Sequence, residues 1–230
     1  RAPRDPRLGA RRSAACGGFG DGIPSPSGRR QLTPPRLAGL VLAAGASRRF
    51  GSPKQLALID GVPMLQRVIE TAQAALPPDE PGGEPRSRIT VVLGAHAEAV
   101  RAGVIERLAP PRPEVVVCVD WECGMAHSLR CGLTELTRRG EGTFASETQS
   151  ATSAALVMLG DTPFLTASDL QRLIDAWRIS PEVPAAAAYD GTIGAPCILP
   201  RAVWPEIEAL EGDHGAGTWM KARRAASGPL

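Results

Sequence analysis

Arg48, Lys54 and Asp161 are the residues whose types and settings could act on a phosphorylated ligand. Arg48 and Lys54 belong to the stretch Leu40–Leu56, LVLAAGASRRFGSPKQL, together with Ser47, Arg49 and Gly51. It begins as an apolar run and breaks at Gly45 into a cationic loop. Small residues let a backbone come close to an anion. Its N–H groups then point at the charge, and Lys and Arg add to the attraction. The spacing is neither GxxxxGK(S/T) nor GxGxxG, which excludes a Walker A loop and a Rossmann fingerprint. An ordinary β-turn with a solvated rim has the same residue types, so the loop alone leaves both readings open.

Asp161 follows the apolar run Ala154–Leu159 and is flanked by Gly160 and Pro163. A carboxylate there is held in a rigid turn just beyond a strand. Hard oxygen ligands suit Mg²⁺, which usually takes one or two carboxylates plus substrate phosphates. Paired with the cationic loop, Asp161 makes a nucleotide–Mg²⁺ site. Alone, it could equally cap the following turn.

These side chains need elements to position them. Leu37–Ala44 is apolar throughout, as a buried parallel strand should be. Ile89–Leu93, Val115–Val119 and Ala154–Leu159 read as three more strands. Val183–Tyr189 and Pro196–Leu199 are short strand candidates. Helical spacing joins Leu65, Val68, Ile69, Ala72 and Leu76, with Pro63 at the first turn. Further helices are expected over about 95–108, through Met125, Leu129, Leu133 and Leu136, through Val203, Trp204, Ile207 and Leu210, and near 216–226. Thr166 and Asp169 form a capping-box start for a helix bearing Leu170, Leu173, Ile174 and Trp177. Strands alternating with helices predict βαβ units and a mostly parallel sheet. Ligands bind such sheets outside the carboxyl ends of the strands. The Gly45–Lys54 loop and Asp161 both fall at that edge.

The totals bound what this site can belong to. A chain of 230 residues, 43% hydrophobic and 22% charged, suits a soluble globular protein with one α/β domain of substantial core or two small ones. No apolar run approaches the roughly 20 residues of a membrane span. No Lys/Arg start precedes a long apolar stretch, so no secretory leader is expected. Residues 1–36 hold eight Arg and two Asp; against a net charge of +2, that leaves −4 for residues 37–230. The basic character therefore lies in an Arg/Pro/Gly-rich extension, expected to be disordered. A nucleic-acid-binding domain would carry it on the fold. Cys16, Cys118, Cys123, Cys131 and Cys197 form no CxxC pair, and three scattered histidines offer no zinc spacing. A reducing, cytoplasmic setting is expected, with Cys118 as a small core residue.

LAAGASRRFGSPKQL resembles the signature loop of the MobA-like nucleotidyltransferases, LAAGxSxRxGxxKxL. Leu159-Gly160-Asp161-Thr162-Pro163 is similar to their LGDxP metal motif. Residues 121–133, WECGMAHSLRCGL, resemble the WxxGMxxSLxxGL segment of the molybdenum cofactor cytidylyltransferase (MocA-like) branch. Residues 212–216, GDHGA, resemble that branch's GDxGA motif. The four motifs stand in family order over about residues 37–222.

The resemblance implies a single Rossmann-like, three-layer α/β/α domain over 37–230, of the nucleotide-diphospho-sugar transferase type with a mostly parallel sheet. It implies that the backbone at Leu42, Ala43, Ala44, Gly45 and Ser47 cradles the nucleotide and that Arg48 contacts its phosphates. Lys54 would hold the α-phosphate region. Gly124 and Ser128 would lie near base and ribose. Asp161 would bind Mg²⁺, with Asp213 as a second carboxylate. The implied reaction moves CMP from CTP to a phosphorylated acceptor, the molybdopterin cofactor, and releases pyrophosphate. It involves little proton chemistry, which agrees with the scarcity of histidine.

Other readings stay open. Methylerythritol phosphate is another acceptor for cytidylyl transfer, and a guanylyl-type molybdopterin transferase is close by. A different class is a non-catalytic accessory protein that binds the cofactor and serves a molybdenum hydroxylase. Pyrophosphate release separates these. His127 reads as a partly exposed helix-start residue, Arg49 as solvent-facing, and Trp121 as packing near the pocket rim. Cys123 and Cys131 read as core or loop cysteines, and His214 as a neighbour of Asp213 that could reach the site.

Overall fold

The structure, a computed structural model, describes residues 35–77, 87–141, 152–189 and 192–226. The extension expected over 1–36 lies outside these residues except for Pro35 and Arg36. Most of the loops expected over 77–88 and 140–153 also lie outside them.

β1 (Leu37–Ala43) is buried along its whole length. It lies between two parallel neighbours, β4 (Ile89–Leu93) and β6 (Ala154–Leu159). Both of its faces and both of its edges are therefore covered, which is why its sequence does not alternate with polar residues. β5 (Glu114–Val117) adds in parallel to β4. β8 (Thr192–Pro200) runs antiparallel to β6, and β7 (Ala185–Tyr189) antiparallel to β8. The order is β5-β4-β1-β6-β8-β7. A separate two-stranded ribbon joins β2 (Leu58–Ile59) to β3 (Val62–Pro63).

Side chains alternate across β1. Leu37, Val41 and Ala43 enter one core with α1 (Met64–Ala75), α2 (Ala97–Gly103) and α4 (Ala167–Arg178). Ala38, Leu40 and Leu42 enter the other with α3 (Met125–Glu141), α5 (Trp204–Glu208) and α6 (Ala216–Ala226). This makes the three-layer α/β/α arrangement. Each fully buried Leu or Ile contributes about 1.5–3 kcal/mol. On α3, a Cβ at Gly132 would stand 2.4 Å from Leu40 Cδ1. The missing side chain lets α3 lie close on β1, with its N-terminus at the sheet's carboxyl edge.

The capping box of α4 forms as expected: Asp169 N donates to Thr166 Oγ1 at 3.2 Å and Thr166 N donates to Asp169 Oδ2 at 3.0 Å. The Thr166 hydroxyl, which donates to Asp169 Oδ2 at 2.6 Å, and then the Thr166 N–H hold the Asp169 carboxyl below the usual carboxylate range. The helix expected over about 95–108 is shorter. α2 ends at Gly103, and Ile105–Arg107 continues as a single 3-10 turn. Gly103 and β-branched Val104 are poor helix residues, and the break buries both Val104 and Ile105. The strand expected at 196–199 is longer than its apolar core, spanning Thr192–Pro200.

Candidate functional site

In the sheet order the parallel strands β5, β4 and β1 lie on one side and β6 begins the other. The crevice at such a reversal is where open α/β sheets take ligands. Two turns leave the sheet there, residues 44–53 after β1 and 160–166 after β6. They bound a cleft of about 800 Å³. Leu42, Ala43, Ala44, Gly45, Ser47, Arg48, Lys54, Gly124, Ser128, Asp161 and Asp213 all line it. The structure thus gathers every residue expected at the site, from four separated stretches of chain.

Lys54 opens a 3-10 turn, Lys54–Leu56. Successive side chains in a 3-10 turn point about 120° apart. Lys54 faces the cleft, Gln55 lies buried beneath the loop, and Leu56 packs against the core. Lys54 Nζ donates to Asp161 Oδ2 at 2.5 Å, both side chains being a little over one third exposed. The Asp161 turn is tied from below. Gly160 N donates to Leu42 O at 2.8 Å, and Thr162 Oγ1 donates to Leu159 O at 2.8 Å.

Arg48 is well exposed and reaches Glu122 Oε1 at 3.5 Å across the cleft mouth. A Cβ built on Gly45 meets nothing within 4 Å, so this glycine faces the open cleft. Gly124 is different. Its φ is +103°, and a Cβ would stand 2.4 Å from the backbone of Gly212 and 2.9 Å from Asp213 N. With Ala126 N donating to Gly212 O at 3.0 Å, the start of α3 is stitched to the turn that carries Asp213. Ser128 is buried near the Cys118 thiol. Burial pushes that thiol up to about 12, and the neighbouring Cys131 thiol adds to the rise.

Arg48, Arg49 and Lys54 face Glu122, Asp161 and Asp213 across the cleft. Three cations against three carboxylates leave little net attraction for a triphosphate unless further positive charge arrives with it. Asp161 and Asp213 are hard oxygen donors open to the cleft, and they suit Mg²⁺ held together with substrate phosphates. Among the described residues no group of three or more His, Cys, Asp or Glu could hold a metal alone.

Residues 39–227 match the family model of the MobA-like NTP transferase domain. The chain belongs to the MobA-like NTP transferase family. Membership makes it a nucleotidyltransferase-type chain. Among solved structures, it is similar to Rv0371c of Mycobacterium tuberculosis H37Rv, at 28% identity and a TM-score of 0.59 over 84% of each chain. A manganese complex of Rv0371c matches at 28% identity and a TM-score of 0.57, over 82% of this chain and 83% of that one. Among curated proteins, the purine catabolism protein PucB of Bacillus subtilis is 27% identical over 85% of this chain and 86% of its own length. The bifunctional protein GlmU of Burkholderia multivorans is 35% identical over 60% of this chain, but the match spans only 25% of GlmU.

In this MobA-like NTP transferase, Trp121 is half-buried and lines the cleft, and Cys123 is exposed. Arg49 is exposed as expected, yet it also lines the cleft. His127 is half-buried, and its Nδ1 has no hydrogen-bond partner among the described residues. His214 is exposed and does not line the cleft. Gln55 and Glu122 were given no role in the sequence reading, yet both line the cleft. Gln55 left one signal: a polar residue between Lys54 and Leu56, where a 3-10 turn sends it inward.

No helix among the described residues is long and apolar enough to cross a membrane.

Proposed function

We propose that the protein transfers CMP from CTP to a phosphorylated acceptor, the molybdopterin cofactor, releasing pyrophosphate. The observation that carries the reading is the Lys54–Asp161 pair, 2.5 Å apart and set beside the open Gly45 loop at the strand-order reversal. A cation for phosphate and a carboxylate for metal meet at the edge where nucleotides bind.

In this reading the loop amides from Gly45 to Ser47 hold the polyphosphate. Arg48 covers it from the cleft mouth, and Lys54 turns from Asp161 to the α-phosphate. Asp161 and Asp213 would hold Mg²⁺, which would supply charge neutralisation on the phosphates. An acceptor phosphate oxygen forms a bond to the α-phosphorus while the bond to the β-phosphate oxygen breaks, so the electron pair leaves with pyrophosphate. No proton need move in that step, and positioning with charge complementarity lowers the barrier. Ala43-Ala44-Gly45 and the 121–133 segment support CTP and the molybdopterin acceptor.

The test is pyrophosphate release with molybdopterin, Mg²⁺ and each of CTP, GTP, ATP and UTP. Release with CTP well above the other three is expected. Release with GTP instead overturns the nucleotide choice. Nucleotide binding without release for any of the four overturns molybdopterin as the acceptor.

A further inference from the structure

Gln55 is only 2% exposed, yet it is polar and sits directly under the β1 exit loop. Its Nε2 donates to Ala43 O at 2.9 Å and to Gly45 O at 2.9 Å, which uses both amide hydrogens. Its Oε1 receives the Ser47 hydroxyl at 3.4 Å, and Ser47 Oγ in turn accepts from Lys54 N at 3.2 Å. The carbonyls between are also taken. Leu42 O accepts from Gly160 N at 2.8 Å and Ala44 O from Ala95 N at 3.0 Å. Four successive carbonyls, Leu42 to Gly45, are thus bound inside the protein. Among the described residues nothing accepts from the N–H groups of Gly45, Ala46 or Ser47. Ser47 has a φ of 54°, and a left-handed residue in such a run helps neighbouring N–H groups converge on an anion.

We propose that Gln55 is a positioning residue that turns the loop carbonyls inward and so aims the amides of Gly45–Ser47 at the nucleotide's phosphates. The same side chain reaches Lys54 through Ser47, so one buried amide sets both the backbone donors and the cation. A buried glutamine that merely filled space would not need both hydrogens on two alternate carbonyls of the loop that faces the cleft.

The inference rests on the nucleotide reading, and the test separates the two. Sodium triphosphate in excess Mg²⁺ is the probe, because it carries the phosphates without base, ribose or acceptor. Titration calorimetry compares the wild-type chain with Gln55→Met and Gln55→Glu. A wild type that takes no triphosphate overturns the nucleotide reading itself. Given wild-type binding, Gln55→Met should weaken it about tenfold or more. Gln55→Glu sets a carboxylate against two carbonyl oxygens, and burial raises its pKa. Its loss relative to wild type should be large at about pH 8 and shrink at about pH 6, where a protonated carboxyl regains one donor. A purely structural role would not produce that recovery in affinity. Folded variants that bind triphosphate within about twofold of wild type at both pH values overturn the proposal. Should neither variant fold, amide exchange in the wild type decides. Triphosphate should protect the amides of Gly45, Ala46 and Ser47, and unchanged exchange there overturns the proposal.

Discussion

The Lys54 ammonium lies 2.5 Å from the Asp161 carboxylate, although the two residues are 107 positions apart in the chain. The contact bridges the reversal between β1 and β6. Each group meets the charge that the other would trade for a ligand: phosphate for Lys54, a divalent cation for Asp161. Because both side chains are more than a third exposed, the pair adds no more than about 1 kcal/mol to stability. In the proposed reaction, one event would release both groups.

Asp161→Asn should therefore leave the fold intact and remove turnover. The melting temperature should stay within about 2 °C of wild type, because an exposed pair is lost. Stabilisation by CTP with Mg²⁺ in a thermal-shift assay should shrink, since a ligand bound only by the folded state raises apparent stability. Near-wild-type turnover with unchanged Mg²⁺ dependence would show that Asp161 is not a metal ligand.

Lys54→Ala should slow the chemical step well over tenfold, each ~1.4 kcal/mol of lost transition-state stabilisation being a factor of ten. Single-turnover rates at saturating nucleotide give the measurement. A change confined to apparent affinity would place Lys54 in ground-state binding alone.

Gly45→Val should separate folding from ligand binding. The new side chain meets no protein atom within 4 Å at its Cβ, so the melting temperature should hardly move. It projects into the cleft, and CTP affinity should fall by about tenfold or more, read by calorimetry.

Gly124→Ala should do the opposite on stability. Its Cβ would fall 2.4 Å from Gly212 backbone atoms at a φ of +103°. Such backbone strain costs about 1–3 kcal/mol, or roughly 2–4 °C per kcal/mol in a chain of this size. The displaced turn carries Asp213, so Mg²⁺-dependent nucleotide binding should weaken as well. An unchanged melting temperature would contradict the close packing.

The thiols give a pH prediction. Cys118 and Cys197 are raised from 9.0 to about 12, chiefly by burial. Their neutral form is favoured in the folded state. Stability present below about pH 9 should decline as pH rises toward 12, because the unfolded thiols ionise first. At about pH 8, iodoacetamide should label exposed Cys123 quickly and reach Cys118 and Cys197 only in denaturant, as mass mapping would show.

Much of this molecule was legible in its residues. β1, β4 and β6 are apolar runs bounded by turn residues, and their burial on both faces leaves no other arrangement for them. The Thr166–Asp169 capping box is a local bond pattern, readable wherever the two residues stand three apart. The helix expected over 95–108 was overrun by packing, since burying Val104 and Ile105 required a turn that periodicity cannot show. The β2–β3 ribbon went unread because two-residue strands carry no alternation.

Strand–loop–helix grammar and the chemical types at the site follow from the residues alone: a small-residue loop with Arg48 and Lys54, and a strand-end Asp161. Those are local properties, set by side-chain size, charge and spacing. Which partners those groups meet depends on how the elements pack. The sheet order brings Asp161 to Lys54, the bare backbone of Gly124 lets the Asp213 turn close on α3, and the 3-10 turn drives Gln55 beneath the loop. Each is a contact between residues whose separation along the chain says nothing about distance, and it exists because two packed cores hold β1 and its neighbours in one register.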